Sequence, residues 1–281
     1  MKKILVLGKD GQLGRSLQAK GITQCLGRDE LDLSKTETIF DRLMDLDFDI
    51  LVNAAAYTAV DKAEVERKLA EKINGESLEF ISKACNEKGA LLIQISTDYV
   101  FGDTLPRPIC ETHTTIPESV YGASKLYGES MVQKFCERYF IIRTSWLYSN
   151  YGHNFMNTML KLAETKSKIN VVVDQVGSPT WVDDLADAVL EISRSASTEY
   201  GIYHYSNEGL CSWFDFAHAI FEITGSSVDL SPVESDAFPT KATRPSYSVL
   251  NKRKIRNTFN FQINHWRDSL NRCLEQKKSS K

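Results

Sequence analysis

Apolar residues in this chain come in short blocks separated by longer amphipathic stretches. Ile4–Leu7, Thr23–Leu26, Asp49–Asn53, Leu91–Ile95 and Phe140–Arg143 are runs of four or five residues, all but the second nearly free of polar interruption. Runs this short and continuous predict strands buried on both faces. Between them, apolar residues recur at helical spacing. One helix follows Gly14 through Leu17. A second opens at Asp32-Leu33-Ser34, with Ser34 as N-cap, and reaches about Leu46. A long third runs from about Ala63 to Lys88 and stops at Gly89, and a fourth from Tyr121 to about Arg138. This alternation predicts an α/β fold, a doubly wound parallel sheet with helices on both faces.

The pattern changes after the fifth strand. Asn154–Thr165 predicts an amphipathic helix, Ile169–Val173 a strand and Gly177–Thr180 a turn. Trp181–Ser193 predicts a helix whose Asp183, Asp184 and Asp187 form a solvated face, and Tyr200–Tyr205 another strand. Ser212-Trp-Phe-Asp215 has capping-box spacing with Asp in place of Glu. Gly102–Glu118, with Pro106, Pro108 and Pro117, and Phe238–Leu250, with Arg244-Pro245, predict loops. Asn264 is placed to cap a last helix before a ragged tail at Lys277–Lys281. The expected organisation is a nucleotide-binding domain over 1–150 and a smaller C-terminal α/β lobe over 151–281, some of whose segments return to the first. The substrate would lie in the cleft between them.

Charge and composition narrow the function classes. A net charge of −3, with 42% hydrophobic and 25% charged residues, gives no electrostatic case for nucleic acid or an anionic membrane. No apolar run approaches the roughly 18 residues that a membrane span needs. The run after Met1-Lys-Lys stops at Gly8-Lys9-Asp10, so it is a first strand and not a secretion signal. Cys25, Cys85, Cys110, Cys136, Cys211 and Cys273 are scattered, as free thiols of a reducing cytoplasm would be. The histidines never fall at metal-ligand spacing, so no metal site is expected.

The chemistry starts at Gly8-Lys-Asp-Gly11-Gln-Leu-Gly14. Strand, glycine turn and helix together form the context of a dinucleotide site. Gly8 allows the sharp turn, Gly11 lets the backbone approach a pyrophosphate, and Gly14 packs helix on strand. The helix N-terminus then offers unpaired N–H groups to the anion. At the end of the second strand Arg28 tilts the choice toward NADPH, while Asp29 keeps NADH open. Small residues in Ala54-Ala-Ala56-Tyr57-Thr58 let a cofactor lie against the third strand's end, or simply pack helix on sheet. Ser96-Thr97-Asp98-Tyr99 ends the fourth strand with hydroxyls that can bind a carbonyl or cap a turn. Tyr121 and Lys125, four apart on one helix face, place an ammonium where it favours the phenolate.

Six blocks carry a family resemblance: Gly8–Gly14, Asn53–Glu64, Ser96–Phe101, Val120–Glu129, Arg143–Tyr148 and Asp174–Thr180. In this order, nearly end to end, they resemble the extended short-chain dehydrogenase/reductase family, and within it the reductases of dTDP-linked 4-ketosugars. The resemblance implies a Rossmann-like nucleotide domain and residue roles. Gly11, Gln12 and Leu13 would line the pyrophosphate, Asp32 and Leu33 the adenine side, and Ala56, Tyr57 and Thr58 the ribose and nicotinamide. Thr97, Tyr121 and Lys125 would form the catalytic set. Thr97, Asp98 and Trp146 would meet the sugar. Arg244 is assigned to the diphosphate, with a surface salt bridge as its alternative. Other members often carry an acid where Gly27 aligns, which leaves NADPH and NADH both open. The loop at Gly102–Glu118 departs from the family's usual wording, which bears on substrate fit. Some members dimerise around magnesium. No acidic cluster here is assignable to that ion, and a monomer or homodimer is expected. The alternatives are another nucleotide-sugar ketoreductase, an epimerase-like enzyme, or a non-catalytic subunit of the methionine adenosyltransferase beta type.

Overall fold

The computed structural model describes residues 2–102 and 106–279. Part of the expected Gly102–Glu118 loop, residues 103–105, and the last two residues of the tail lie outside the described residues. Six strands form one parallel sheet: β1 (Ile4–Leu7), β2 (Cys25–Leu26), β3 (Ile50–Asn53), β4 (Leu91–Thr97), β5 (Tyr139–Thr144) and β10 (Gly201–His204). Their spatial order is β10-β5-β4-β3-β1-β2.

The strands lack a polar face because both sides of the sheet are covered. Val6, Ile50, Val52, Ile93, Phe140 and Ile142 point to one side. There they meet Leu13 and Leu17 of α1 (Gln12–Ala19), Val182, Leu185 and Val189 of α8 (Val182–Arg194), and Ile255 of α10 (Arg253–Phe259). The alternate residues Leu5, Leu7, Leu51, Leu92 and Ile141 point the other way. They pack on Ile39 and Leu43 of α2 (Ile39–Met44), Leu78 and Ile81 of α5 (Ser77–Glu87), and Val132 of α6 (Val120–Phe135). Each such side chain contributes about 1.5–3 kcal/mol on burial, so the period-2 pattern fixes the register as well as the layers.

The chain steps outward from β1 to β2, then returns to the opposite side of β1 with β3. This reversal opens a crevice at the carboxyl ends of β1 and β3, where open α/β sheets bind ligands.

A third core lies in the later chain. Tyr148, Met156, Ile169, Phe216, Trp266 and Leu270 pack together there. They come from β6 (Leu147–Tyr148), α7 (Phe155–Ala163), β7 (Lys168–Val172), α9 (Trp213–Thr224) and α11 (Trp266–Ser279). Two-stranded pairings join β6 to β9 (Thr180–Trp181), β8 (Val176–Gly177) to β11 (Cys211–Ser212), and β7 to β12 (Asp229–Val233). The expected turn at Gly177–Thr180 is therefore flanked by two of these short strands. The capping box at Ser212 and Asp215 is formed as the sequence predicts.

Elsewhere the structure departs from expectation. The helix expected over 63–88 is broken into α3 (Val60–Ala63), α4 (Arg67–Glu71), a π-helical turn at Lys72–Glu76, and α5. The turn bulges because Asn74 spends its side chain on Tyr57 and Ser124, and because Gly75 receives the Tyr127 ring. Ser34 does not cap a helix. Asp32 folds back on Ser34, and the helical turns begin only at Thr36–Thr38 and α2. Asp184 is buried, not solvated, because it accepts hydrogen bonds from Asn207, Ser269 and Asn264. Asn264 is thereby committed to Asp184, while the His265 ring accepts the Arg267 N–H at the start of α11. Among the described residues no helix is long and apolar enough to cross a membrane.

Candidate active site

The glycine turn closes on itself so tightly that side chains are excluded. Gly8 has φ +89°, and a Cβ there would stand 2.7 Å from the Ala55 nitrogen. At Gly14 a Cβ would meet the Gly8 carbonyl oxygen at 2.1 Å. The Gly11 N–H closes the turn on the Gly8 carbonyl at 3.1 Å, and Gly11 heads α1 without a side-chain cap. Gln12 points to the later chain, its Oε1 accepting from Ser149 Oγ at 2.8 Å and Asn154 Nδ2 at 3.0 Å. The Leu13 side chain is in the core, which leaves only its backbone for a ligand.

The end of β3 is braced from two sides. Asn53 Nδ2 donates to Gln94 Oε1 at 2.8 Å, and Asn53 Oδ1 accepts the Ala55 N–H at 3.2 Å. Ala56 and Tyr57 are partly buried and Thr58 is exposed. Both backbone groups of Tyr57 are held by Asn74, which also donates to Ser124 Oγ on α6 at 3.0 Å. The Tyr57 phenol donates to Glu66 at 2.6 Å, and this bond pushes it up to about 12.

The chemistry-bearing residues meet at the end of β4. Thr97 Oγ1 donates to Asp98 at 3.0 Å and accepts the Tyr99 N–H at 3.2 Å. It thus caps the turn that follows β4. Ser119 caps α6, and Gly122 lets that helix start press on the Tyr99 carbonyl, which a Cβ would meet at 2.1 Å. The Tyr121 ring stands edge-on to Tyr99 at 5.6 Å. Lys125 Nζ donates to the Ile95 carbonyl at 2.7 Å, an oxygen that Gln94 also holds.

Burial sets the charge states. It raises the Tyr121 phenol well above its ordinary value, with Thr97 opposing and Asp98 and Tyr99 adding to the rise. Desolvation is the largest of these influences and keeps the phenol a neutral acid. Burial lowers Lys125 to about 8, with Glu129 opposing, and raises Asp98 to about 6, against the Ser248 and Thr97 hydroxyls.

Arg244 reaches this cluster from the late loop, donating to Asp61 at 3.1 Å, and its charge acts on the Tyr99 phenol. Trp146 is held at φ +48° and stacks on Trp213 at 3.5 Å, with Gly177 leaving room for its ring. Such backbone strain concentrates at functional sites. Arg28 and Asp32 lie apart from Tyr121, paired at 3.5 Å beside an open hollow that Lys35 and Arg42 also line. The Asp32 carboxylate is occupied by Ser34, and the Leu33 side chain is in the core.

Glycine turn, strand ends and tyrosine–lysine helix therefore converge on one crevice. Residues 1–279 match the family described as RmlD substrate binding domain. A dTDP-4-dehydrorhamnose reductase from Sinorhizobium fredii is 40% identical over 285 residues, covering 97% of this chain and 96% of the relative. The spore coat polysaccharide biosynthesis protein SpsK of Bacillus subtilis is 39% identical over 285 residues, covering 100% and 99%. A crystal structure of the Bacillus anthracis dTDP-4-dehydrorhamnose reductase in complex with NADP superimposes with a TM-score of 0.93 at 38% identity, covering 98% and 100%.

The chain belongs to the RmlD substrate binding domain family. It is an oxidoreductase of that family with a nicotinamide dinucleotide as cofactor. The turn fits that group on its own evidence, because a side chain at Gly8 or Gly14 would collide with backbone that borders the crevice. Sequence reasoning assigned no role to Asn74, Glu129 or Arg143. Their spacing offers one signal, since Glu129 stands four residues after Lys125. Their partners come from other elements, and nothing local announces those.

Proposed function

We propose that this chain reduces the C4 keto group of dTDP-4-dehydro-6-deoxy-L-mannose to give dTDP-L-rhamnose, using NADPH or NADH. The observation that carries the reading is the partly buried Tyr121 one helical turn from the buried Lys125, whose ammonium is held on the end of β4, at the sheet edge that also holds the glycine turn. The names of the full-length relatives support the sugar, and the NADP complex supports the cofactor.

The bound dinucleotide supplies the hydride. Gly8, Gly11, Gln12, Leu13 and Gly14 receive its pyrophosphate, with only backbone from Leu13. Ala56, Tyr57 and Thr58 flank the nicotinamide ribose, and Arg28, Asp32 and Leu33 border the adenosine end. Thr97 turns its single hydroxyl proton from Asp98 to the sugar's carbonyl oxygen and fixes its position. Tyr121, kept neutral by burial, gives its proton to that oxygen as charge develops on it. Lys125 stabilises the phenolate that results and binds ribose hydroxyls. Asp98 and Trp146 orient the sugar ring. Arg244 takes the diphosphate, giving up Asp61, so that remote binding energy aligns the reacting carbon.

The relative SpsK favours a second reading, reduction of a different nucleotide-linked ketosugar at the same site. Purified protein supplied with NADPH and the rhamnose precursor should oxidise the cofactor, followed by its absorbance. Turnover of another ketosugar nucleotide but not this one would favour the second reading. No turnover of any would count against both.

A further inference from the structure

One helical turn beyond Lys125 lies Glu129, 1% exposed and closed on Arg143, itself 2% exposed. Glu129 Oε1 accepts from Arg143 Nε at 2.9 Å and from Ser96 Oγ at 2.5 Å, while Oε2 accepts from Arg143 Nη2 at 2.6 Å. A buried ion pair is weak evidence for stability, since apolar residues of similar volume often serve the fold as well. Its place in the molecule is more informative. Two consecutive residues of β4 each hold one group of α6: the Ile95 carbonyl takes Lys125 and the Ser96 hydroxyl takes Glu129. The ion pair is thus built into the strand end that holds Lys125.

We propose that Glu129, clamped by Arg143 and Ser96 one helical turn from Lys125, is a positioning residue for the reductive step that keeps Lys125 an ammonium where the Ile95 carbonyl holds it. This rests on the reductive reading of Tyr121 and Lys125 given above. Burial opposes the ammonium, and Glu129 is the carboxylate that favours it. The other charged and titratable groups nearby are engaged elsewhere. Tyr121, on the same helix, is neutral, and Asp98 and Tyr99 after β4 act on Tyr121. From the β3 side Asn74 and Ser124 meet each other, neither of them titratable. Arg143 of β5 is committed to Glu129 and lies over the Phe101 ring at 5.0 Å. Beyond Phe101, His204 of β10 is lowered to about 3 by burial and by Arg143, so it stays neutral and does not compete for the carboxylate. Glu111 accepts the His204 N–H, and Lys254 donates to the Ile202 carbonyl.

The test follows the Lys125 ammonium directly. The full chain is labelled with ¹³C at lysine Cε, and the Lys125 signal, identified by its loss in Lys125→Met, is titrated by NMR without substrate. The parent midpoint should fall at about 8. In Glu129→Gln it should drop by about one pH unit or more, because the carboxylate is gone and the guanidinium remains. Glu129→Gln/Arg143→Gln keeps an amide for Ser96 but removes both charges, and should show a smaller drop. It carries the test where the single variant is too unstable to purify. The high-pH limb of kcat should move with the NMR midpoint. An unshifted midpoint in the folded double variant, with kcat changed equally at every pH, would overturn the proposal and leave the pair a strut. Because the titration needs no sugar, a failed ketosugar assay leaves this result interpretable, and a failed titration leaves the ketosugar reading intact.

Discussion

At the scale of single residues, the acid is separable from the scaffold. Tyr121→Phe removes one oxygen and leaves the ring against Tyr99. Turnover should fall by at least about 100-fold, the usual worth of a positioned proton donor. Cofactor affinity, measured by fluorescence titration, should stay within a factor of about two, since the phenol is not part of the glycine turn. A variant that reduces the ketosugar at the parent rate would remove Tyr121 from the mechanism. Tyr121 and Lys125 were legible because their relation is local, one helical turn on one face. Their charge states were not, since burial by residues distant in sequence decides them. The same reason hid Asp184, which looks solvated beside Asp183 and Asp187 until Asn207, Asn264 and Ser269 arrive from the later chain. Lys125 also bears on folding. Its midpoint is depressed in the folded state, so its buried charge costs stability at neutral pH, and that cost fades as pH rises from about 8 toward 10.5.

At the scale of elements, the glycine turn makes the strictest demand. Gly14→Ala would drive a methyl group into the Gly8 carbonyl, and rigid backbone stands on both sides of the clash. α1 must then lift from β1, at a cost of about 1–3 kcal/mol typical of overpacking. Cofactor affinity should fall about tenfold or more, while thermal unfolding shows a lower midpoint. Unchanged affinity would mean that the turn does not receive the pyrophosphate. The strands were legible because each is a short apolar run between turn residues. The long helix was not, because its period is helical throughout. The π-helical turn at Lys72–Glu76 exists to place Asn74 between Tyr57 and Ser124, a contact between the end of β3 and α6 that no local pattern encodes.

At the scale of the whole molecule, the chain reversal at β1 brings the glycine turn beside the ends of β3 and β4, and α6 leans its Tyr121 and Lys125 over that edge. Later segments close the arrangement through Gln12 with Ser149 and Asn154, and through Arg244 with Asp61. The central claim is therefore a hydride delivered to a sugar carbon within this crevice as Tyr121 protonates the oxygen. The most direct measurement uses NADPH deuterated at nicotinamide C4 on the transferred face, with the rhamnose precursor, and examines the product by NMR. The account predicts one deuterium at C4 of a dTDP-linked rhamnose and none elsewhere in the sugar. Deuterium at another carbon, or a product without it, would contradict the account.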